Sequence, residues 1–116
     1  MNRSCRRYGR KYTTMQIKYN AKALKHISST IDYYLEHFGV QSATNLAKKI
    51  DATVKDLEKF PETGFPEPLL RHKSNFYRAT IVDKHHKLIY YIKGDTLRIA
   101  ALWDMRMHPE NLAKRV

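Results

Sequence analysis

The chain has 116 residues and one cysteine, Cys5, which together predict a single domain and exclude an internal disulfide or a zinc site built on cysteines. Its formal net charge is +11, which favours a polyanionic partner, either nucleic acid or an acidic protein, although excess lysine can also serve only to keep a small domain in solution. No apolar run is long enough to span a bilayer and no signal-peptide core follows the basic start, so we expect a soluble, cytoplasmic protein that does not bind membranes.

Residues 1–14 form a basic leader. Five basic residues and no acidic residue occur there, without any apolar periodicity. This composition is typical of disorder, because it offers no hydrophobic surface to bury. We therefore expect a disordered leader at residues 1–14 and a folded domain at residues 15–116, with Met15 as a candidate initiator.

One strand and two helices are predicted in the first half of the domain. Residues 15–19 alternate apolar and polar side chains, as a strand does. Apolar residues then recur every three or four positions between Asn20, a good N-cap, and Gly39, a good C-cap. The same spacing resumes near Ser42 and ends before Pro61. This half should therefore be a strand followed by a helical hairpin.

The second half is predicted to form a sheet. Residues 60–74 contain three of the four prolines, so this segment should be a loop that crosses from the helices to the sheet. Residues 76–82, 86–92 and 96–103 are rich in β-branched and aromatic side chains, and the short polar turns between them predict a three-stranded antiparallel meander. A short C-terminal helix should begin near Pro109. The prediction is an α+β fold with the helices on one sheet face.

The alternation of strand residues predicts a cationic surface on the other sheet face. The side chains expected to face the helices are Tyr77, Ala79, Ile81, Leu88, Tyr90, Ile92, Leu97, Ile99, Ala101 and Trp103. The opposite face should then present Arg78, Lys87, Tyr91 and Arg98, joined by Arg106 from the loop after the last strand. Cations that hold phosphates, beside rings that stack on bases, are usual in single-stranded RNA recognition. We therefore predict RNA binding by Arg71, Lys73, Tyr91 and Arg98.

Four segments give the sequence a resemblance to a known family. They are Phe60-Pro61-Glu62-Thr63-Gly64 after the second helix, Tyr77-Arg78 at the start of a strand, His86-Lys87-Leu88-Ile89-Tyr90 in the next strand, and the tract from Trp103 to Pro109. In this order and spacing, over residues 15–113, the chain resembles the RelE/ParE superfamily of bacterial type II toxin–antitoxin toxins. The resemblance implies a toxin neutralised by a cognate acidic antitoxin. RelE-like members cut messenger RNA in the ribosomal A site, ParE-like members inhibit DNA gyrase, and a degenerate member would only bind its antitoxin.

The resemblance also implies a set of catalytic residues. It puts Arg78, Lys87 and Arg106 at basic positions that contact phosphate. RNA cleavage also needs proton transfer. His108 is the predicted proton-transfer group because an imidazole titrates near neutral pH, and Tyr91 and His86 are the substitutes. The predicted partners are the antitoxin together with the ribosome and messenger RNA, or gyrase in the alternative.

Three features weigh against an intact nuclease. Thr80 stands where RelE-type enzymes often carry a second lysine, and Leu112 stands near their C-terminal tyrosine. Asp104 can pair with Arg106 or Arg98, which would neutralise part of the predicted catalytic charge. A toxin that inhibits gyrase or only binds its antitoxin therefore stays open.

No metal or cofactor is expected. His85 and His86 are adjacent, so in a strand they face opposite ways and cannot chelate one ion from one face. His108 has an alternative role as a solvent-exposed cap before Pro109. Trp103 is expected to fill the core rather than to stack on a base, because its strand neighbours are apolar.

Overall fold

The computed structural model describes residues 15–116, so the predicted basic leader lies outside the described residues. Its helices and strands are β1 (Gln16–Tyr19), α1 (Ala21–Phe38), α2 (Val40–Lys59), β2 (Phe65–Pro66), β3 (Arg78–Ile81), β4 (His86–Lys93), β5 (Thr96–Asp104) and α3 (Leu112–Arg115). Two 3-10 turns, Pro68–Leu70 and Pro109–Asn111, precede β3 and α3 respectively. The predicted α+β order is confirmed. In residues 15–116, none of the helices combines the length and apolar character that crossing a membrane requires.

Gly39 separates the two long helices. Its φ of +91° lies in the left-handed region, where a residue without a Cβ is favoured, and its N–H donates to the Leu35 carbonyl at the end of α1. The second helix starts at once with Val40 rather than near Ser42. The helical hairpin was thus predicted correctly, with a tighter turn than the sequence suggested.

The five strands form one sheet in the order β1-β5-β4-β3-β2. Strands β3 to β5 make the predicted antiparallel meander, and β1 pairs with β5 in parallel. The two-residue strand β2 was expected to be loop. Phe65 and Glu67 each precede a proline, which disfavours helical dihedrals and keeps this stretch extended enough to pair with β3.

Each sheet face has its own core. On the helix face, Leu88, Tyr90 and Leu97 pack with apolar residues of α1 and α2. On the opposite face, Trp103 and Leu112 belong to a second cluster, which the 3-10 turn at Pro68–Leu70 completes with Leu70. Trp103 is buried, as predicted, but in this second core.

A β-bulge explains why Trp103 faces away from the helices. Tyr90 pairs with Ile99, whereas its neighbour Ile89 pairs with Ala101, so Ala100 is an extra residue on β5. An extra residue reverses the alternation beyond it. The prediction that Ala101 and Trp103 point toward the helices was therefore wrong, although Leu97 and Ile99 do so.

Strand β3 also faces opposite to the prediction. Ala79 pairs with Ile89 and lies in the second core, while Arg78 pairs with Tyr90 of the first core. Directly opposed residues in an antiparallel pair share a face. Arg78 therefore lies on the helix side of the sheet, and Tyr77 and Ala79 lie on the other side.

Candidate active site

A buried ion pair lies on the sheet face opposite the helices. The Lys87 Nζ atom is 2.5 Å from Glu67 Oε1, and these residues are only 9% and 3% exposed. The other carboxylate oxygen, Oε2, accepts a hydrogen bond from the Leu69 N–H at 3.1 Å. Burying two charges is costly unless they are paired, so both side chains are held in one place.

The local chain fixes the Glu67 carboxylate. Glu67 is the N-cap of the 3-10 turn at Pro68–Leu70, and its own N–H donates to the Tyr77 carbonyl at 3.0 Å. The prolines on either side restrict the backbone further. Our sequence reasoning missed Glu67. A single acid between two prolines, in an otherwise basic segment, was the available signal.

A cavity of about 180 Å³ opens beside Glu67. Its lining includes Glu67, Arg71, Lys73, Asn75, Phe76 and Tyr77. Two of the predicted RNA-binding cations, Arg71 and Lys73, are therefore brought beside the buried carboxylate. Tyr91, a third predicted contact, packs its ring edge-on against Tyr77 with centroids 5.3 Å apart.

The other two predicted sheet cations are engaged in contacts within the protein. Arg78 donates from a guanidinium nitrogen to the carbonyl oxygen of Gly64 at 2.9 Å, and its guanidinium lies 5.0 Å above the Phe76 ring. Arg98 Nε donates to Asn20 Oδ1 at 2.7 Å, which ties β5 to the start of α1. The expectation that Arg78 shares an exposed face with Lys87 was wrong, because the β3 register places it on the helix side.

Arg106 makes a two-pronged ion pair with Asp104. Its Nε and terminal nitrogen donate to the two carboxylate oxygens at 3.0 and 2.8 Å, as one of the predicted pairings for Asp104 required. The hydrogen bonds from Arg106 lower the pKa of Asp104, and those to Asp104 raise the pKa of Arg106. Asp104 pairs with His86 in the sheet register, so it lies on the helix side, opposite to Lys87, and it holds Arg106 there. The expectation that Arg106 joins Lys87 on the face opposite the helices was therefore wrong.

His86, one of the proposed substitutes for His108, is buried beneath α1. Its Nδ1 atom lies 2.9 Å from Asp83 Oδ1, and its ring meets Tyr34 edge-on at 5.8 Å. Burial would raise the pKa of Asp83, but hydrogen bonds from the His85 and His86 amides and the His86 ring outweigh it, so the pKa is lowered. Because His86 packs against Tyr34 of α1, it lies on the helix side of the sheet and faces away from the Glu67 cavity.

His108 occupies the N-cap position of the turn at Pro109–Asn111 without making a side-chain cap hydrogen bond. It is exposed, and its Nδ1 atom lies 2.8 Å from Glu110 Oε2. Within residues 15–116, no cluster of three or more His, Cys, Asp or Glu side chains is placed to hold a metal ion. The catalytic role of His108 stays a prediction.

Comparisons with known proteins identify the family. Residues 17–109 match the ParE toxin of the type II toxin–antitoxin system, parDE. Toxin YoeB of Escherichia coli strain K12 is 38% identical over 58 residues, which cover 48% of this chain and 68% of that protein. A chromosomal ParDE system from P. aeruginosa shares the fold with a TM-score of 0.64 at 20% identity, covering 78% of this chain and 96% of that chain. A YoeB/ParE toxin from Agrobacterium tumefaciens gives a TM-score of 0.54 at 14% identity, covering 78% and 98%. The chain is thus a toxin of a type II toxin–antitoxin system and belongs to the ParE toxin family of the RelE/ParE superfamily.

Proposed function

We propose that this toxin arrests growth by cleaving messenger RNA on the ribosome, with Glu67 as general base and Lys87 as the cation that stabilises the reacting phosphate. The observation that carries the proposal is the buried Glu67–Lys87 pair beside a cavity lined by Arg71 and Lys73. Cleavage needs a positioned base and several cations, and this place offers both.

The proposed reaction uses the RNA's own 2′-hydroxyl. Glu67 accepts the hydroxyl proton while the 2′ oxygen bonds to the adjacent phosphorus. The bond from phosphorus to the 5′ oxygen breaks, which leaves a 2′,3′-cyclic phosphate and a 5′-hydroxyl. As Glu67 becomes neutral, the Lys87 ammonium is free to attract the negative charge that develops on the phosphate. We retain His108 as the proposed proton donor to the leaving oxygen.

The remaining cations have separate proposed roles. Arg71 and Lys73 hold the phosphates that flank the cut, because they line the cavity and are not buried. Arg106 is held by Asp104 on the other side of the sheet, so its proposed contact with the RNA backbone lies outside the cavity, at the end of β5, where more than half of its side chain is exposed.

Inhibition of gyrase is the competing function. Burying a carboxylate and a lysine costs free energy of desolvation even when the two are paired. Binding to a protein target gives no functional reason for that cost. A proton-transfer reaction gives one. This contrast favours the nuclease over the gyrase inhibitor.

The test compares Glu67→Gln with Glu36→Gln, a matched change of an exposed glutamate on α1. The full chain is added to a purified translation system with a reporter messenger RNA, and new 5′ ends are mapped by primer extension. Glu67→Gln should slow cleavage by about 100- to 10,000-fold, and Glu36→Gln should leave it unchanged. A gyrase supercoiling assay runs in parallel. Inhibition of supercoiling without cleavage by the unmodified toxin would reject the nuclease, and normal cleavage by Glu67→Gln would reject the assigned base.

For the antitoxin, we propose that an acidic, partly disordered segment docks on the helical hairpin. A groove of about 430 Å³ between α1 and α2 is lined by apolar side chains that include Leu35 and Val40, which are 48% and 70% exposed. Apolar residues of the partner would fill this groove, and an acidic residue of the partner would pair with Lys48, which lines the groove together with Asp51.

The docking test uses two charge-introducing variants of neighbouring residues. Val40→Asp places a charge in the groove, whereas Gln41→Asp adds the same charge at an exposed position that does not line it. Calorimetry with the cognate antitoxin should show at least tenfold weaker binding for Val40→Asp and unchanged binding for Gln41→Asp. The unmodified toxin should bind the antitoxin more weakly as the salt concentration is raised. Equal affinities for the two variants would place the antitoxin elsewhere, and binding insensitive to salt would remove the electrostatic part of the proposal.

A further inference from the structure

The cavity beside Glu67 has the features of a base-binding pocket in addition to those of a phosphate site. Its volume of about 180 Å³ equals about six water molecules, which is enough for one flat heterocycle. Aromatic residues Phe76 and Tyr77 line it, and so does the amide of Asn75. Rings and a side-chain amide are groups that stack on and hydrogen-bond to a base, whereas a phosphate is bound by cations and N–H donors.

The two aromatic rings differ in their freedom. Tyr77 is buried and held against Tyr91, so it forms a fixed wall. Phe76 is 61% exposed, and the guanidinium of Arg78 covers one face of its ring. Arg78 is itself bound to the Gly64 carbonyl, so it holds the Phe76 ring from one face, and a stacked base would use the opposite face.

Asn75 supplies the polar recognition. Its Nδ2 atom lies 3.4 Å from the Tyr77 hydroxyl, a long contact that places the amide beside the buried ring. A side-chain amide presents a donor and an acceptor side by side, as needed to read the edge of an unstacked base.

We propose that this cavity binds one unpaired nucleobase of the RNA, stacked on Phe76 and read by Asn75, while Arg71 and Lys73 hold the adjoining phosphates. This inference rests on the proposed nuclease function and extends it, because a base held next to Glu67 determines which phosphodiester is cut. Arg78 is then a positioning residue that acts through Phe76.

A binding experiment tests the pocket without requiring cleavage. The full ¹⁵N-labelled chain is titrated with the four nucleoside 5′-monophosphates and, as the probe without a base, with ribose 5-phosphate. The nucleotides should shift the side-chain amide signals of Asn75, and ribose 5-phosphate should leave them in place. Equal shifts with both kinds of probe would show a phosphate site only and would overturn the inference.

Two phenylalanine variants test the stacking. Phe60 is 60% exposed, nearly the same as Phe76, and does not line this cavity, so Phe60→Ala is the matched control for Phe76→Ala. Phe76→Ala should weaken nucleotide binding by about 5- to 150-fold, the range expected for loss of one stacked base, and Phe60→Ala should not. Unchanged binding by Phe76→Ala would overturn the proposal.

A change at Asn75 tests the reading of the base. Asn75→Asp replaces the donor–acceptor pair with acceptors alone, which suits the two neighbouring N–H groups on the guanine edge. Binding should shift toward guanosine monophosphate, and the mapped cut sites should shift in the same direction. An unchanged base preference would overturn the assignment of Asn75. If the unmodified toxin bound nucleotides but did not cleave messenger RNA, that result would instead count against the proposed function.

Discussion

The most demanding test of the candidate site is removal of the Lys87 charge. Lys87→Met keeps an unbranched side chain of similar size but leaves the Glu67 carboxylate buried, with the Leu69 N–H as its remaining hydrogen-bond donor. Removing one partner of a buried ion pair typically costs about 3–5 kcal/mol. Since about a tenth of the Lys87 side chain is exposed, we expect the lower end of that range. A loss of about 3 kcal/mol should lower the melting temperature of a domain of this size by roughly 12–24 °C.

The double variant Glu67→Gln/Lys87→Met separates the pair from its surroundings. Removing both charges leaves no uncompensated buried ion, so the double variant should melt well above Lys87→Met alone. Urea and thermal unfolding of the unmodified protein, the two single variants and the double variant would measure the coupling free energy. The reasoning would be refuted if Lys87→Met melted at the same temperature as the unmodified protein. It would also be refuted if the double variant melted no higher than Lys87→Met. Neither single variant should cut messenger RNA at the normal rate.

Three further predictions concern stability and the rim of the site. Tyr90→Phe should lower the free energy of unfolding by about 2–4 kcal/mol, because the buried hydroxyl donates to Pro61 O at 2.8 Å and accepts from the Gly64 N–H at 3.0 Å. Urea unfolding measures this loss, and an unchanged urea midpoint would contradict it. The lowered pKa of Asp104 stabilises the folded protein above the unfolded pKa of about 3.9, and this stabilisation is lost as the pH falls through the lower folded pKa. Asp104→Asn should therefore make the free energy of unfolding, measured in urea at several pH values, depend less on pH below about pH 5. Arg106→Ala should abolish growth arrest with little change in melting temperature, and Arg106→Lys should restore arrest only in part, since an ammonium lacks the planar fork. A folded Arg106→Ala that still arrests growth would remove this residue from the mechanism, and a large fall in its melting temperature would favour a structural role for the Asp104 pair.

The sequence alone determined the order and type of nearly every element. The apolar spacing from Asn20 to Gly39 and the β-rich runs after residue 76 are local patterns, and local patterns are what periodicity and turn residues encode. The β-rich runs also carried part of the family resemblance. The short strand at Phe65–Pro66 was missed because a two-residue strand has no period to read, and only its pairing with β3 defines it.

Only the tertiary structure decided which residues meet. Alternation divides a strand into two faces but does not say which one the helices cover, so Arg78 was assigned to the wrong side. The extra residue in β5 then turned Trp103 away from the helices. Glu67 is 20 residues from Lys87 in the chain, and no local pattern pairs them; their contact depends on the crossing of the proline-rich segment over the sheet. The sequence therefore determined which helices and strands form, because capping, turn preferences and apolar periodicity act within a few residues. Strand register and long-range packing determined the candidate site.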